Sequence, residues 1–333
     1  MRHAIHHTRA WLCVAIAAFS LPAEAGRAGS PRLSEGRPAG VAQHLQDISV
    51  TIRAESSPGY GAQGSGVIKT RRMTLNGEDK AINFIWTAAH VVKGLRSVES
   101  VIDPKTGTER KVVKFKDVAI VQELREAGRR VGELRMAARV IRYSATEDLA
   151  LLQVRKTGFV DVSVRFHLDA KIPPLGTDLY HVGSPGGQEL GQNSMTPGIV
   201  SQIGRILDGE EFDQVTTPAL PGSSGGGVFR RDGVLIGLLT QGVRGGDNFN
   251  YIVPARRICT WARRAKVEWA VDDSVPMPAP KALRALPVED AGVSFSNGAP
   301  KPASGHKFLI QYLRAGRVVT EEREQPRPPG RGY

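Results

Sequence analysis

Residues 221–229 read PGSSGGGVF, and a Ser/Gly run of this kind ordinarily marks a loop or linker. Two distant segments change that reading. WTAAHVV, residues 86–92, sets His90 after a Thr-Ala-Ala turn at the end of an apolar strand. ATEDLALLQV, residues 145–154, sets Asp148 at the head of a buried-type run. A lone histidine is usually a surface or core residue, and a lone aspartate before a strand is usually a turn residue. Their joint occurrence in the order His, Asp, Ser is one of the chain orders in which a nucleophile, its base and an orienting acid are found.

Working outward, the chain between DISVTIRA and NYIVP is a series of short apolar runs separated by turn signals, among them GSGVIKT, NFIWTAAHVV, RKVVKF, LALLQV, GIVSQIG and GVLIGLLTQGV. Runs this short and this frequent argue for an all-β sandwich or barrel pair rather than alternating strands and helices. PARRICTWARRAKVEWA, residues 254–270, is the exception: Pro254 suits a first helical turn, and Ile258, Trp261, Ala262 and Ala265 recur at helical spacing. An Ala/Pro-rich stretch follows. The packed domain is therefore expected over 45–270, with a Pro-rich tail over 271–333 in which residues 307–323 read as a β-hairpin turning at Ala315-Gly316.

Length and composition fit this reading, since 333 residues with 41% hydrophobic content leave room for one large or two modest cores. At the N-terminus, Arg2 and Arg9 precede an apolar run from Trp11 to Leu21 and the small-x-small triplet Ala23-Glu24-Ala25. That is the pattern of a signal peptide over 1–25, too short to span a bilayer. Residues 26–44 then read as a linker, and the expected protein is exported, periplasmic or extracellular, with no membrane span after cleavage. Cys13 lies within the signal, which leaves Cys259 alone and excludes a disulfide framework. The formal charge of +12 falls to +11 on loss of two arginines and one glutamate, and residues 93–142 supply +6 of it, 13 Lys/Arg against 7 Asp/Glu. No nucleic-acid motif or aromatic interleaving accompanies that charge, so no nucleic-acid partner is expected. No cofactor and no metal site are read from the sequence.

The motifs resemble those of the chymotrypsin-like (trypsin-like) serine peptidases, and within them the bacterial HtrA/Deg-type branch: GSGVI at 64–68, TAAHVV, DLALLQV, GIVS at 198–201 and GSSGGGVF. The resemblance covers about residues 45–268. It implies two six-stranded antiparallel β-barrels with a cleft between them, His90 and Asp148 from the first, the serine from the second, and a closing helix over 254–269. It also implies peptide-bond hydrolysis of protein or peptide substrates. The 58 residues between His90 and Asp148 exceed the spacing of compact relatives, and the basic stretch is expected to be an enlarged surface loop. The segment after the helix is too short for a PDZ domain, so none is expected.

In this mechanism two backbone N–H groups hold the oxyanion, one from the nucleophile and one from the residue two before it. Were Ser223 the nucleophile, the second donor would be Pro221, which has no N–H. Ser224 is therefore the expected nucleophile, with Gly222 and Ser224 forming the oxyanion hole. His90 is the expected general base, and Asp148 holds its tautomer. Neighbouring Glu147 is expected to face solvent by strand alternation. By family pattern, substrate binding falls to Ala219, Leu220, Leu239, Thr240, Gln241 and Gly242, a bed without charge that suits a small or medium aliphatic side chain. The alternative, a non-catalytic scaffold that keeps the fold, sits poorly with retention of all three triad residues and the oxyanion glycine.

Overall fold

The computed structural model describes residues 40–57, 60–75, 77–102, 107–186, 191–207, 209–242, 248–289, 307–314 and 317–324. The stretch read as a signal peptide, 1–25, and most of the one read as a linker, 26–44, lie outside the described residues. The first described element is helix α1 (Val41–Asp47), which starts within the stretch read as linker and runs three residues past it, and Leu45 of this helix is fully buried. Two turns carry too little periodicity to be read as a helix from sequence.

Strands β1 (Ser49–Ser57), β2 (Tyr60–Leu75) and β3 (Glu78–Thr87) lead to the short helix α2 (Ala89–Val92). Strands β4 (Arg96–Ile102), β5 (Glu109–Phe115), β6 (Val118–Glu126), β7 (Arg129–Ser144) and β8 (Leu149–Val154) complete the first half. Six of them close an antiparallel barrel in the order β1-β2-β3-β8-β7-β6. The basic stretch is thus not a loop. Its first part is the separate ribbon β4–β5, paired from Arg96↔Phe115 to Ile102↔Glu109, and its second part is barrel wall.

A short strand β9 (Arg165–Phe166) precedes β10 (Asp178–Gly183), β11 (Ser194–Leu207), β12 (Glu210–Val215), β13 (Gly227–Arg230), β14 (Val234–Gly242) and β15 (Asn250–Pro254). The last six close a second antiparallel ring, β13-β10-β11-β12-β15-β14 and back to β13, with β9 added in parallel to β14. The two six-stranded barrels expected from the sequence are therefore both present.

Period-two alternation sorts their side chains. Ile85 on β3 and Ala150 and Leu152 on β8 fill the first barrel, whereas Phe84, Trp86, Leu149 and Leu151 point into a larger core shared with Phe229, Leu235 and Leu238 of the second. Both faces of β8 are covered, which is why Leu149–Leu152 reads as an unbroken apolar run.

Helix α3 (Ala255–Arg264) closes the molecule and is shorter than the 254–269 span expected. Lys266, with φ +60°, ends it, and a 3-10 turn over Glu268–Ala270 follows. Trp261 and Trp269 pack edge-on against Trp86 and Phe84, with ring centroids 5.7 Å and 4.6 Å apart. The Trp86 indole N–H donates to Ala270 O at 2.9 Å.

Packing does not stop at residue 270, where the tail was expected to begin. Val271 and Leu283, the latter on helix α4 (Pro280–Ala285), are buried in the shared core, and Val275, Met277 and Leu286 pack against it. Arg71 on β2 donates to Trp269 O, Asp272 O and Val275 O at 2.5, 2.9 and 2.9 Å. The nearly buried Lys69 pairs with Asp273 at 2.7 Å. Farther on, β16 (Lys307–Arg314) and β17 (Arg317–Glu324) pair as an antiparallel hairpin. Its turn at Ala315-Gly316 lies outside the described residues. No helix among the described residues is long and apolar enough to cross a membrane.

Candidate active site

Helix α2 buries Ala89, Val91 and Val92 and leaves His90 as its exposed member. Asp148 ends the turn Ala145–Asp148 with φ +51°, a left-handed conformation that aspartate tolerates better than most residues. His90 Nδ1 lies 2.9 Å from Asp148 Oδ2 and 3.1 Å from Oδ1, and the His90 backbone N–H donates to Oδ1 at 3.0 Å. The hydroxyl of Thr240, on β14, donates to Asp148 Oδ2. With the carboxylate fixing Nδ1–H, the imidazole presents bare Nε2 as an acceptor.

Glu147 does not face solvent. It is buried, accepting from Arg257 Nε at 2.7 Å and Arg264 Nη2 at 2.5 Å, both on α3. The alternation expected there fails because Glu147 and Asp148 sit in a turn that precedes β8. Arg257 also donates to Thr146 O at 3.2 Å and pairs with Glu210 at 2.7 Å.

The loop between β12 and β13 carries the serines, and backbone contacts shape it. Gly222 has φ +99° and Gly225 φ +82°, the region where only glycine is unstrained. Ser65 N–H donates to Ser224 O at 2.7 Å, Gly225 N–H to Leu239 O at 2.7 Å, and Gly226 N–H to Ser223 O at 3.0 Å. The Ser65 hydroxyl donates to Gly222 O at 2.7 Å and accepts from Ser184 N–H at 2.8 Å. This leaves the Gly222 and Ser224 amides without a protein acceptor among the described residues.

Ser223 is buried, its hydroxyl accepting from Leu220 N–H at 3.3 Å. Ser224 is accessible and donates to Thr240 O at 3.2 Å. Beneath the loop, buried His181 on β10 shares an Nδ1 hydrogen bond with Gly227 O at 3.1 Å. Burial pushes its pKa down to about 4, so its ring is neutral near pH 7, and Nε2 has no partner among the described residues.

Of the expected substrate-binding residues, Leu239 is buried in the second barrel's interior with Ala219 packed against it, and Leu220 is largely exposed. Thr240 is buried and committed to Asp148. Gln241 and Gly242 continue β14 opposite Tyr251 and Asn250, but their side chains lie outside the described residues. A cavity of about 560 Å³ is lined by His90, Asp148 and Thr240 together with Leu207, Glu210 and Phe212 of β11 and β12; Ser224 is not among its lining residues. The β11–β12 wall had no sequence signature. Ser65 had one, the GSG motif, but nothing local tied its hydroxyl to Gly222, 157 residues away. Among the described residues no group of three or more His, Cys, Asp or Glu side chains is arranged to hold a metal ion.

The chain is similar to several known proteins. Among curated ones, it is 34% identical over 115 residues to an uncharacterized protein of Sinorhizobium fredii, a match covering 34% of this chain and 17% of that protein. It is 33% identical over 109 residues to a probable periplasmic serine endoprotease, DegP-like, of Pseudomonas fulva, covering 32% of this chain and 22% of that one. The chain thus spans about a fifth of the length of the curated relatives it matches. Similar solved structures include the active form of a Mycobacterium tuberculosis protease, with TM-score 0.47 and 17% identity over 67% of this chain and 82% of that one. Another is the serine endoprotease from Yersinia pestis, with TM-score 0.48 and 15% identity over 87% of this chain and 98% of that one. A family model of the trypsin-like peptidase domain matches residues 64–238, which is 175 of 333. The chain belongs to the trypsin-like peptidase domain family.

Proposed function

We propose that this protein is a serine endopeptidase in which Ser224 attacks the scissile carbonyl carbon and His90 Nε2 takes the hydroxyl proton. Asp148 stabilises the resulting imidazolium through Nδ1–H. The carbonyl oxygen, now an oxyanion, accepts from the Gly222 and Ser224 amides. Collapse of the tetrahedral intermediate breaks the C–N bond, His90 protonates the leaving amine, and water repeats the sequence to release the acyl group from Ser224. The Ser224 hydroxyl donates to Thr240 O at 3.2 Å, and the first step requires it to leave that carbonyl for His90; catalytic hydrogen bonds are often unmade until substrate arrives.

One observation carries this reading. An accessible serine stands beside two amides that have no acceptor among the described residues, one of them its own, while the base is already hydrogen-bonded to its acid. Ser223, buried and two residues after a proline, has neither property. The substrates are proteins or peptides, with a small or medium aliphatic residue before the scissile bond, because Pro218, Ala219 and Leu220 ahead of the nucleophile carry no charge; Leu239, inside the second barrel, does not belong to that bed. Export to the envelope follows from residues 1–25 and accords with the periplasmic designation of the Pseudomonas fulva relative. The catalytic body runs from Val41 to Glu289.

Labelling by a fluorophosphonate probe and hydrolysis of peptides test the assignment. Ser224→Ala abolishes labelling and lowers kcat by about 10⁴-fold or more, whereas Ser223→Ala keeps most of both. Equal loss in the two variants, with folding intact by circular dichroism, overturns it.

A further inference from the structure

The segment after α4 ends on the chain that carries the catalytic acid. Strand β6 pairs with β7 only as far as Val118↔Ala138, so residues 139–144 of β7 keep β8 on one edge and have lost β6 on the other. Residues 287–289 cover that edge. Tyr143 N–H donates to Val288 O at 2.7 Å, Tyr143 and Glu289 form a parallel bridge, and Arg142 donates to Pro287 O. An uncovered strand edge is a row of unpaired backbone groups. Here it lies one residue before the turn Ala145–Asp148.

Glu289 then reaches the other arm of the site. Its carboxylate, only 10% exposed, takes both a Nε and a Nη2 hydrogen bond from Arg96, the latter at 2.9 Å. Arg96 is the first residue after the 3-10 turn Lys93–Leu95 that continues helix α2 from His90. A paired fork of this kind fixes direction as well as distance. The Tyr143 ring packs on Phe115, 5.0 Å between centroids, and Phe115 is the register partner of Arg96. Burial first, and then the negative charges of Glu289 and Asp148, push the Tyr143 hydroxyl above its ordinary pKa, which places both carboxylates in its surroundings.

Resting on the hydrolase reading above, we infer that Glu289 is a positioning residue. Through Arg96 it holds the His90 arm, and through the bridge to Tyr143 it holds the Asp148 arm, so that the C-terminal strap sets the separation of base and acid.

Charge exchange in the full chain tests this. Arg96→Glu and Glu289→Arg each lose the downfield proton resonance of His90 Nδ1–H and lower kcat by about 10- to 100-fold, the cost of a misplacement near 1 Å. KM stays within about twofold, since ground-state binding is untouched. The double exchange regains both the resonance and the rate. Resonance and kcat within about twofold of the parent chain in both single variants overturn the inference, whether or not melting temperatures fall. Should the reversed charges prevent folding, Glu289→Gln is judged by the same two readouts. If the parent chain hydrolyses no peptide, the hydrolase reading falls, and the resonance alone decides the positioning role.

Discussion

The loop that carries Ser224 and the turn that carries Asp148 meet at Thr240, whose carbonyl accepts from the serine hydroxyl and whose own hydroxyl donates to the carboxylate. They are held by different means. The serine loop is fixed mainly through its backbone groups: left-handed glycines, amide-to-carbonyl bonds to Leu239 and Ser223, and space so tight that a side chain has nowhere to go, with the Ser65 hydroxyl on Gly222 O as a side-chain tether. The acid turn is fixed from outside, by Arg257 and Arg264 on Glu147, by Thr240 on Asp148 and by the strap on Tyr143. Backbone constraint cannot be mutated away except by adding atoms. Side-chain constraint is removed one partner at a time.

The largest effect is expected where an atom is added to the serine loop. In Gly225→Ala the new Cβ would collide with Thr87 Oγ1 and Ser65 O and lie 2.8 Å from Ala88 N, at a backbone φ of +82°. None of these neighbours except the hydroxyl can move cheaply, so the loop shifts and kcat/KM falls by at least about 100-fold. A rate within tenfold of the parent, on the order of 1 kcal/mol, would break the comparison.

Next comes the acid turn. Glu147→Gln leaves buried Arg257 and its neighbour Arg264 short of one carboxylate, and the unfolding free energy in urea falls by about 3 kcal/mol, the lower end for a broken buried pair because Arg257 keeps Glu210. An unchanged urea midpoint would mean that the turn stands without its tethers.

The smallest effect at neutral pH sharpens the contrast, because it concerns the titratable side chain under the serine loop. His181 titrates at about 4 when folded and at 6.5 when unfolded. The unfolded chain therefore binds the proton first, so this contribution is complete above pH 6.5 and is lost as pH falls towards 4. The loss reaches about 2 kcal/mol by pH 5. His181→Gln keeps a donor for Gly227 O and should remove that share of the acid sensitivity; identical stability-versus-pH curves for the two proteins would refute it.

This contrast also explains what could be read from sequence. The serine loop is contiguous, and the proposed choice of Ser224 over Ser223 rests on a proline two residues away, so it could be argued from local chemistry alone. The barrels were legible because turn signals and apolar alternation are local too. Glu147 was misjudged because alternation presumes a strand, whereas Asp148 at φ +51° belongs to a turn. The boundary after residue 270 was misplaced for a different reason. Arg142 meets Pro287 across 145 positions and Arg96 meets Glu289 across 193, and a Pro-rich composition says nothing about such partners. The basic stretch was read as a loop because charge is also what a solvated strand face shows, as in the pair of Lys114 and Glu99 across the β4–β5 ribbon.

Helix α1 opens the first barrel's chain, yet it packs on the second: Leu45 shares a core with Leu235, and Gln46 donates to Asn193 O at 3.1 Å. The strap leaves the second barrel's helix and packs on the first. Each barrel is thus fastened by the other's end, as two people are by crossed arms. Melting either barrel releases a segment packed on the other, so coincident unfolding of the two barrels in heat or denaturant is the expected outcome.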